Sequence, residues 1–216
     1  MLPLHLSERP GRLDVLCLGA HSDDIEIGCA GTLLSLVERG HQLRVTWAVL
    51  SANDERAAEA RHSAEQLLGK VAELRVHLGA FRDAHFPAEF GALKDYFAKL
   101  RQETNPDLVF THCIEDRHQD HRLVGELTWQ AWRDHLILEY EVPKYEGDLG
   151  RPNVFVPVSQ AAANAKVEHL LAHFGSQRSK DWFSGDTFLG LMRLRGVECR
   201  SQHGFAEAFI VRKVLL

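Results

Sequence analysis

The sequence predicts an α/β fold in which a mostly parallel, twisted sheet carries helices on both faces. Apolar segments that look like strands alternate with segments whose apolar residues recur at helical spacing. The strand-like segments are apolar almost throughout, as expected for parallel strands buried on both faces. With 216 residues, 45% of them hydrophobic and 25% charged, the chain can bury one good core. We therefore expect a single domain over residues 1–216 that becomes less regular from about residue 141.

The predicted strands are short segments rich in Val, Leu and aromatic residues. The first, LDVLCLGA, leads into a turn of small residues, and the next three each follow a helical segment. In chain order the strand ranges are 13–20, 42–50, 72–78, 106–113, 154–159 and 207–215. Two prolines and two glycines in 141–153 predict an irregular excursion that can form a substrate wall, an oligomer contact or a plain surface loop.

The predicted helices are bounded by ordinary start and stop residues. Gly40 and Gly69 end the first two helices, and Asn53 or Asp54 caps the start of the second. In chain order the helix ranges are 28–40, 53–69, 90–104, 121–135, 159–174 and 179–196.

Charge and composition argue against several classes of protein. A net charge of −5 offers no general attraction for nucleic acid or an anionic membrane surface. No apolar run is long enough to cross a bilayer, and residues 1–16 lack the features of a signal peptide. The four cysteines, which are Cys17, Cys29, Cys113 and Cys199, are scattered and form no C-x-x-C pair. This pattern favours a reduced, cytoplasmic protein.

Polar side chains that can bind metal follow two of the predicted strands. The first strand leads to His21, Asp23 and Asp24 in HSDDIE. The fourth strand leads to THCIEDRHQDHR, which contains His112, Asp116, His118, Asp120 and His121. In doubly wound sheets of order 3-2-1-4-5, strand 1 lies beside strand 4, and ligands bind between their carboxyl ends. If this order holds, both clusters line one pocket.

Nitrogen and oxygen donors without thiolates suit Zn²⁺, Fe²⁺, Mn²⁺ or Co²⁺. His21 and Asp24 lie three residues apart on a tight turn and can converge on one ion, and His121 can complete a three-ligand site. A bound cation also explains why two adjacent carboxylates are tolerated. In this interpretation Asp24 binds the metal and Asp23 stays beside it as a base.

Other interpretations of the two clusters remain open at this point. The acids of HSDDIE can simply cap a helix, and HQDH can be a solvated loop. A dinucleotide-binding fold is a further alternative, although GCAG is a weak substitute for the G-x-G-x-x-G that such folds carry after the first strand.

At these residues the chain resembles the PIG-L (LmbE-like) family of metal-dependent N-deacetylases. The family motifs approximate to H-P-D-D-x-E, G-[CG]-G-G-T and H-x-D-H, and here they read HSDDIE, GCAGT and HQDH. Ser22 replaces the usual proline and Ala30 a glycine, and neither change removes a ligand. The resemblance extends more weakly over most of the chain, and it implies a Rossmann-like fold.

The resemblance also implies an activity and a set of roles. Family members remove N-acetyl groups from glucosamine-containing molecules, so the expected partner is a small amino-sugar substrate. By resemblance, His21, Asp24 and His121 bind zinc and Asp23 is the general base. The family further suggests a homo-oligomer, either a trimer or a hexamer.

Chemical reasoning adds further candidate residues. A cationic His118 can stabilise the oxyanion that develops on the acyl oxygen, and Asp120 can hold and charge that imidazole. Arg56 and Arg61 can reach hydroxyls or a phosphate of the substrate, and Asp83 can hydrogen-bond a sugar. Residues such as the last three are more often solvated charges, and that alternative stays open for each of them.

We therefore expect a zinc-dependent N-deacetylase that acts on an N-acetylglucosamine-type sugar or conjugate, with Fe²⁺ or another divalent metal as an alternative. One competing hypothesis is a metal-dependent amidase for another small N-acyl substrate. The other is a metal- or sugar-binding module without catalytic activity.

Overall fold

The strands of the protein lie in one seven-stranded sheet. A computed structural model describes residues 12–69 and 72–215. The strands in this part of the chain are β1 (Arg12–Gly19), β2 (Gln42–Val49), β3 (Ala72–Leu78), β4 (Leu108–His112), β5 (Leu136–Tyr140), β6 (Val154–Val158) and β7 (Phe205–Ile210). The helices are α1 (Asp24–Glu38), α2 (Asp54–Leu68), α3 (Phe90–Glu103), α4 (Gln119–Ala131), α5 (Gln160–His173) and α6 (Gly185–Glu198).

The strand order is β3-β2-β1-β4-β5-β7-β6. The first five strands in this order are parallel, and β7 is antiparallel to both of its neighbours. The order expected from the sequence is therefore confirmed for β1 to β4, whereas the fifth predicted strand, 154–159, is β6 at the edge of the sheet. Its consequence for the site is that β1 and β4 are adjacent, so the chain segments that follow them start side by side.

Helices cover both faces of the sheet. Along β1, Val15 and Cys17 belong to a core with residues of α1, α2, α5 and α6, whereas Leu16 and Leu18 belong to a core with residues of α3 and α4. Alternate residues of the strand thus enter opposite cores, and both sets are buried. This explains why the strand sequences are apolar without alternation.

Several element boundaries differ from the predictions, among them the end of α4, which lies at Ala131 instead of residue 135. Helix α1 begins at Asp24 instead of residue 28, and acids in a first turn are favoured by the helix dipole. Helix α6 begins at Gly185 instead of residue 179, because the Ser184 hydroxyl caps it by accepting from the N–H of Thr187. Strand β5 was not among the predicted elements, and the last strand ends at Ile210 instead of residue 215.

Two predictions concern the start of the chain and membrane-spanning helices. Residues 1–11, which carry most of the segment that lacks signal-peptide features, lie outside the described residues. Within 12–69 and 72–215, no helix combines the length and the apolar character needed to cross a membrane.

Helix α1 packs closely on β5 at a glycine. A Cβ atom added to Gly28 would lie 2.3 Å from Cδ2 of Tyr140, which is far inside van der Waals contact. The Tyr140 hydroxyl donates to the carbonyl of Leu18 at 2.7 Å, so the ring is anchored from its other end. Gly28 therefore sets the distance between α1 and the centre of the sheet.

We expect Gly28→Ala to destabilise the fold by about 1–3 kcal/mol, because the added methyl group overpacks a rigid contact. Gly190→Ala in α6 is the matched control, because its added Cβ would meet nothing within 4 Å. The control should be neutral or stabilising by about 0.5–1 kcal/mol, since alanine favours the helix. Urea unfolding of both variants tests this, and equal effects would contradict the packing argument.

Candidate metal and catalytic site

An open cavity of about 300 Å³ lies at the carboxyl ends of β1 and β4. Five of the residues that line it come from the two predicted clusters, and we call them the floor: His21, Asp23, Asp24, His118 and His121. The other lining residues, which we call the wall, come from α2, from the loop after β3 and from the two irregular segments around residues 142–146 and 177–182. The structure thus brings the two clusters into one pocket, as predicted.

Donor atoms of three floor residues lie close to one another, and Asp24 faces the two histidines with different carboxylate oxygens. Nδ1 of His21 lies 3.2 Å from Nε2 of His121 and 3.4 Å from Oδ2 of Asp24. Nε2 of His121 lies 3.5 Å from Oδ1 of Asp24. A metal with bonds of about 2.0–2.2 Å to nitrogen and oxygen requires ligand atoms at about this spacing. These donors suit a divalent cation. In the described residues, the compact groups of possible ligands around them include Asp24 with His112 and His121, and His21 with His118 and His121.

Carboxylates hold the far nitrogen of both histidines. Nε2 of His21 lies 3.1 Å from Oδ1 of Asp83 and 3.3 Å from Oδ2 of Asp120. Nδ1 of His121 lies 3.0 Å from Oδ2 of Asp116. Such outer carboxylates fix the tautomer and the orientation of metal-binding histidines. Asp116 belongs to the second cluster predicted from the sequence, and its contact with His121 is seen only in the structure.

The charges on the floor favour a positive ion. Burial opposes ionisation of Asp24, yet the nearby charges of His121, His112 and His21 hold its pKa well below the usual range. Burial opposes a charge on His21 as well, but Asp24, Asp120 and Asp83 raise its pKa well above the usual value. The surroundings of these residues therefore stabilise a cation between the side chains of His21, Asp24 and His121.

Asp23 occupies the N-cap position of α1, but its side chain makes no capping hydrogen bond. The carboxylate lines the cavity although the residue is only 5% exposed. Burial and the adjacent Asp24 charge raise its pKa to about 6. The Asp23 side chain therefore does not cap the helix, and Asp23 is a buried acid that faces the cavity.

One predicted contact is wrong, because the Asp120 carboxylate does not bind the His118 imidazole. Its oxygens accept from the N–H groups of Ala84 at 2.7 Å and Phe86 at 3.1 Å, and they face His21. Only the backbone N–H of Asp120 contacts His118, and it donates to Nδ1 at 3.3 Å. Residues two positions apart at the start of a helix point in different directions. Asp120 thus orients His21 instead of His118.

His118 caps α4 and lines the cavity. Because Nδ1 accepts from the N–H of Asp120, a neutral ring carries its proton on Nε2. Burial and the charge of His21 lower the pKa of His118, which favours this neutral form over the predicted cation. The residue is therefore a hydrogen-bond donor without a permanent charge.

His112 is the last residue of β4 and is buried beside the floor. It belongs to the second predicted cluster, where no role was predicted for it. Its Nε2 accepts from the N–H of Ala20 at 3.0 Å and lies 3.1 Å from Oδ2 of Asp24. Its ring stacks on that of His121, with centroids 3.9 Å apart. Its position at the end of a buried strand next to the cluster was the signal that could have identified it.

The three predicted substrate residues have different positions. Arg56 and Asp83 lie in the wall and form an ion pair with a distance of 2.8 Å. Hydrogen bonds from His21 and Arg56 hold the pKa of Asp83 well below its usual range. Arg61 is exposed on α2 and is not among the residues that line the cavity, so its contact with substrate stays a prediction.

A buried lysine ties the irregular segment after β5 to the site. Nζ of Lys144 donates at 2.9 Å to Oδ2 of Asp116 and at 2.9 Å to Oδ1 of Asp148. Since Asp116 also contacts His121, one chain of contacts links the wall to a candidate metal ligand. The predicted excursion therefore lines the cavity at this point.

A second buried polar cluster lies outside the cavity lining. The Ser63 hydroxyl donates to the Glu26 carboxylate, and Nε2 of His169 lies 2.8 Å from the same hydroxyl. Burial, together with the charges of His173 and His62, lowers the pKa of His169 to about 4. This cluster joins α1, α2 and α5 and serves packing.

A comparison with known protein families supports the resemblance that the sequence motifs indicated. The family model described as PIG-L, GlcNAc-PI de-N-acetylase, matches residues 16–132. The chain belongs to the PIG-L family. The matched range contains both clusters and every strand from β1 to β4, apart from the first residues of β1.

Individual relatives of this PIG-L protein include enzymes of more than one kind. The uncharacterized deacetylase YaiS of Escherichia coli K12 is 29% identical over 179 residues, which cover 78% of this chain and 94% of YaiS. The N,N'-diacetylchitobiose deacetylase of Pyrococcus horikoshii shares the fold with a TM-score of 0.68 and 20% identity, over 92% of this chain and 83% of that one. GalB, the 4-carboxy-2-hydroxymuconate hydratase of Pseudomonas putida KT2440, has a TM-score of 0.73 and 18% identity, over 94% and 98%.

We expect Asp116→Asn to weaken zinc binding by about 10- to 100-fold, because it removes the carboxylate that orients His121. Lys144→Met should have a smaller effect in the same direction. Competition against a chelator measures both, and Asp134→Asn, which changes an exposed acid, is the control. Unchanged affinity in Asp116→Asn would contradict the role of this contact.

His169 should make stability depend on pH. Its pKa in the folded protein is about 4, whereas an unfolded histidine has a pKa of about 6.5. The unfolded chain therefore binds the additional proton first, and stability is lost as the pH falls from about 6.5 to about 4. In urea unfolding over this range, His169→Gln should show a shallower loss than the wild type or an exposed-site control, His203→Gln. Parallel curves would show that His169 is not responsible.

Proposed function

We propose that this protein is a metal-dependent hydrolase that removes the N-acetyl group from an N-acetylglucosamine-type sugar or a conjugate of one. The observation that carries the proposal is the convergence of His21, Asp24 and His121, with ligand atoms 3.2–3.5 Å apart, beside Asp23 in an open cavity. PIG-L membership and the names of two relatives as deacetylases support this reaction.

In this proposal His21, Asp24 and His121 hold one divalent cation. Zinc suits two imidazoles and a carboxylate, and Fe²⁺ or another divalent metal is compatible with the same donors. When bound, the cation supplies Lewis-acid polarisation of the acyl oxygen and lowers the pKa of water. The outer carboxylates Asp116 and Asp120 keep the two rings in position.

Protein groups carry the proton transfers of the hydrolysis. Asp23 accepts a proton from the water whose oxygen forms a bond to the acyl carbon. A pKa of about 6 leaves Asp23 ionised at neutral pH and still basic enough for this role. The Nε2–H of His118 donates to the acyl oxygen as negative charge develops there. Asp23 then passes its proton to the amine nitrogen as the C–N bond breaks, which yields acetate and a free amine.

The fold alone does not select this reaction, because GalB, whose name describes a hydratase, has the same fold. The selection rests on the residues of the floor and on the family. A cytoplasmic location and a trimeric or hexameric assembly remain predictions, and the four cysteines, all of which lie in the described part of the chain, are free thiols.

Acetate release from a panel of substrates tests the proposal. The panel contains N-acetylglucosamine, its methyl glycoside, its phosphates, a nucleotide sugar and a glycolipid headgroup, each with chelator and with added zinc. We expect chelator-sensitive release from at least one member. If zinc binds in a 1:1 ratio but no member is hydrolysed, the deacetylase proposal is wrong and a different acyl substrate or a binding function must replace it.

Asp23→Asn separates metal binding from proton transfer. We expect zinc binding to survive, because the ligand atoms are unchanged, and turnover to fall by about 10²- to 10⁴-fold, because the base is lost. Asp95→Asn, which changes an exposed acid on α3, should leave both unchanged. Full turnover in Asp23→Asn would exclude Asp23 as the base.

A further inference from the structure

The wall of the cavity contains a lysine that no carboxylate neutralises. Lys180 lines the same cavity as Asp23, and within residues 12–69 and 72–215 it takes part in no salt bridge. Its ammonium group lies over the ring of Trp182, 5.4 Å from the ring centre. The energy of such a contact is modest, and it leaves the three N–H donors of lysine available to a ligand.

The other two cations of the wall are already paired. Arg56 binds Asp83 at 2.8 Å, and Lys144 is buried between Asp116 and Asp148. These two charges are therefore neutralised within the protein. Lys180 is the wall cation, among the described residues, whose charge remains for a bound molecule.

Local structure holds Lys180 in place. Its backbone N–H donates to the carbonyl of Gln177 at 3.0 Å, and its carbonyl accepts from the N–H of Phe183 at 3.0 Å. Phe183 and Gln177 are both buried, so this short segment is anchored at both ends. The ammonium group is thus presented to the cavity by an ordered turn.

Resting on the function proposed above, we infer that Lys180 and Trp182 form an anion subsite, and that the natural substrate is an N-acylated amino sugar with a phosphate or carboxylate group. Lysine binds such groups as a point charge, and a partly enclosed cavity strengthens the attraction. The aromatic ring of Trp182 offers an adjacent flat surface for the sugar.

The subsite shares a cavity with the reacting groups. Lys180 and Trp182 line the same cavity of about 300 Å³ as Asp23 and His118. Because one cavity holds both, we expect the anionic group on the sugar or close to it. A long neutral oligosaccharide would leave the charge of Lys180 unused.

Matched substrates test this inference with the metal-loaded, full-length protein. We would measure kcat/KM for N-acetylglucosamine 1-phosphate, N-acetylglucosamine 6-phosphate and N-acetylmuramic acid, and compare each with methyl N-acetylglucosaminide. The wild type should prefer at least one anionic substrate by about tenfold or more, which is the usual effect of one charge-assisted contact. Added salt should reduce this preference, since it screens the charge.

Variants identify the responsible residue. Lys180→Gln should lower kcat/KM for the anionic substrate about tenfold more than kcat/KM for the neutral glycoside, so that the preference is lost, whereas Lys180→Arg should retain most of the preference. Lys94→Gln is the matched control, because Lys94 also lies over an aromatic ring, that of Phe90 at 5.8 Å, but outside the cavity. An equal loss on neutral and anionic substrates in Lys180→Gln would overturn the inference, as would a wild type without any preference.

A binding measurement separates this inference from the proposed reaction. If the wild type hydrolyses none of these substrates, calorimetric titration with glucosamine 6-phosphate and with methyl glucosaminide still tests the subsite. Tighter binding of the phosphate that disappears in Lys180→Gln supports the subsite although the reaction is wrong. Phosphate binding that Lys180→Gln leaves unchanged refutes it, because the phosphate then binds the metal or another group.

Discussion

The buried carboxylate of Asp24 is the charge on which the arrangement of the site depends. A lone carboxylate with 3% exposure would be costly, and here it accepts from the backbone N–H of His21 at 2.6 Å. The imidazoles of His21, His112 and His121 surround its oxygens at 3.1–3.5 Å. His112 ends β4, and His121 lies in the helix that follows β4. The charge of Asp24 is therefore compensated only when β1 and β4 are neighbours. The sheet order and the site therefore require each other.

Much of this arrangement could be predicted because it follows from regular structure. Apolar periodicity identified β1 to β4 and their helices, and parallel strands bring their carboxyl ends to one edge of a sheet. That rule is enough to place His21 beside His121, although one hundred residues separate them. The alternatives of a capped helix and a solvated loop could not be rejected from the sequence. Only the burial of Asp23 and His121 rejects them.

The parts that could not be predicted depend on side-chain direction and on irregular backbone. Asp120 was assigned to His118 because the two are close in sequence, whereas the start of α4 turns its carboxylate towards His21 and the loop after β3. That loop contains Ala84 with a positive φ of 64°, a conformation that no periodicity indicates. Strand β5 is short and lacks a clear turn signal before it, so residues 136–140 carried no strand prediction.

The site divides into two parts with different structural origins. The floor stands at the ends of β1 and β4 and at the starts of α1 and α4, and these elements are held by two buried cores. Most of the wall comes from irregular segments, which are joined to the floor by a few polar contacts such as that of Lys144 with Asp116. A scaffold of this kind can keep its catalytic groups in place while the wall changes. The reaction should therefore be determined by the floor, and the choice of substrate by the wall.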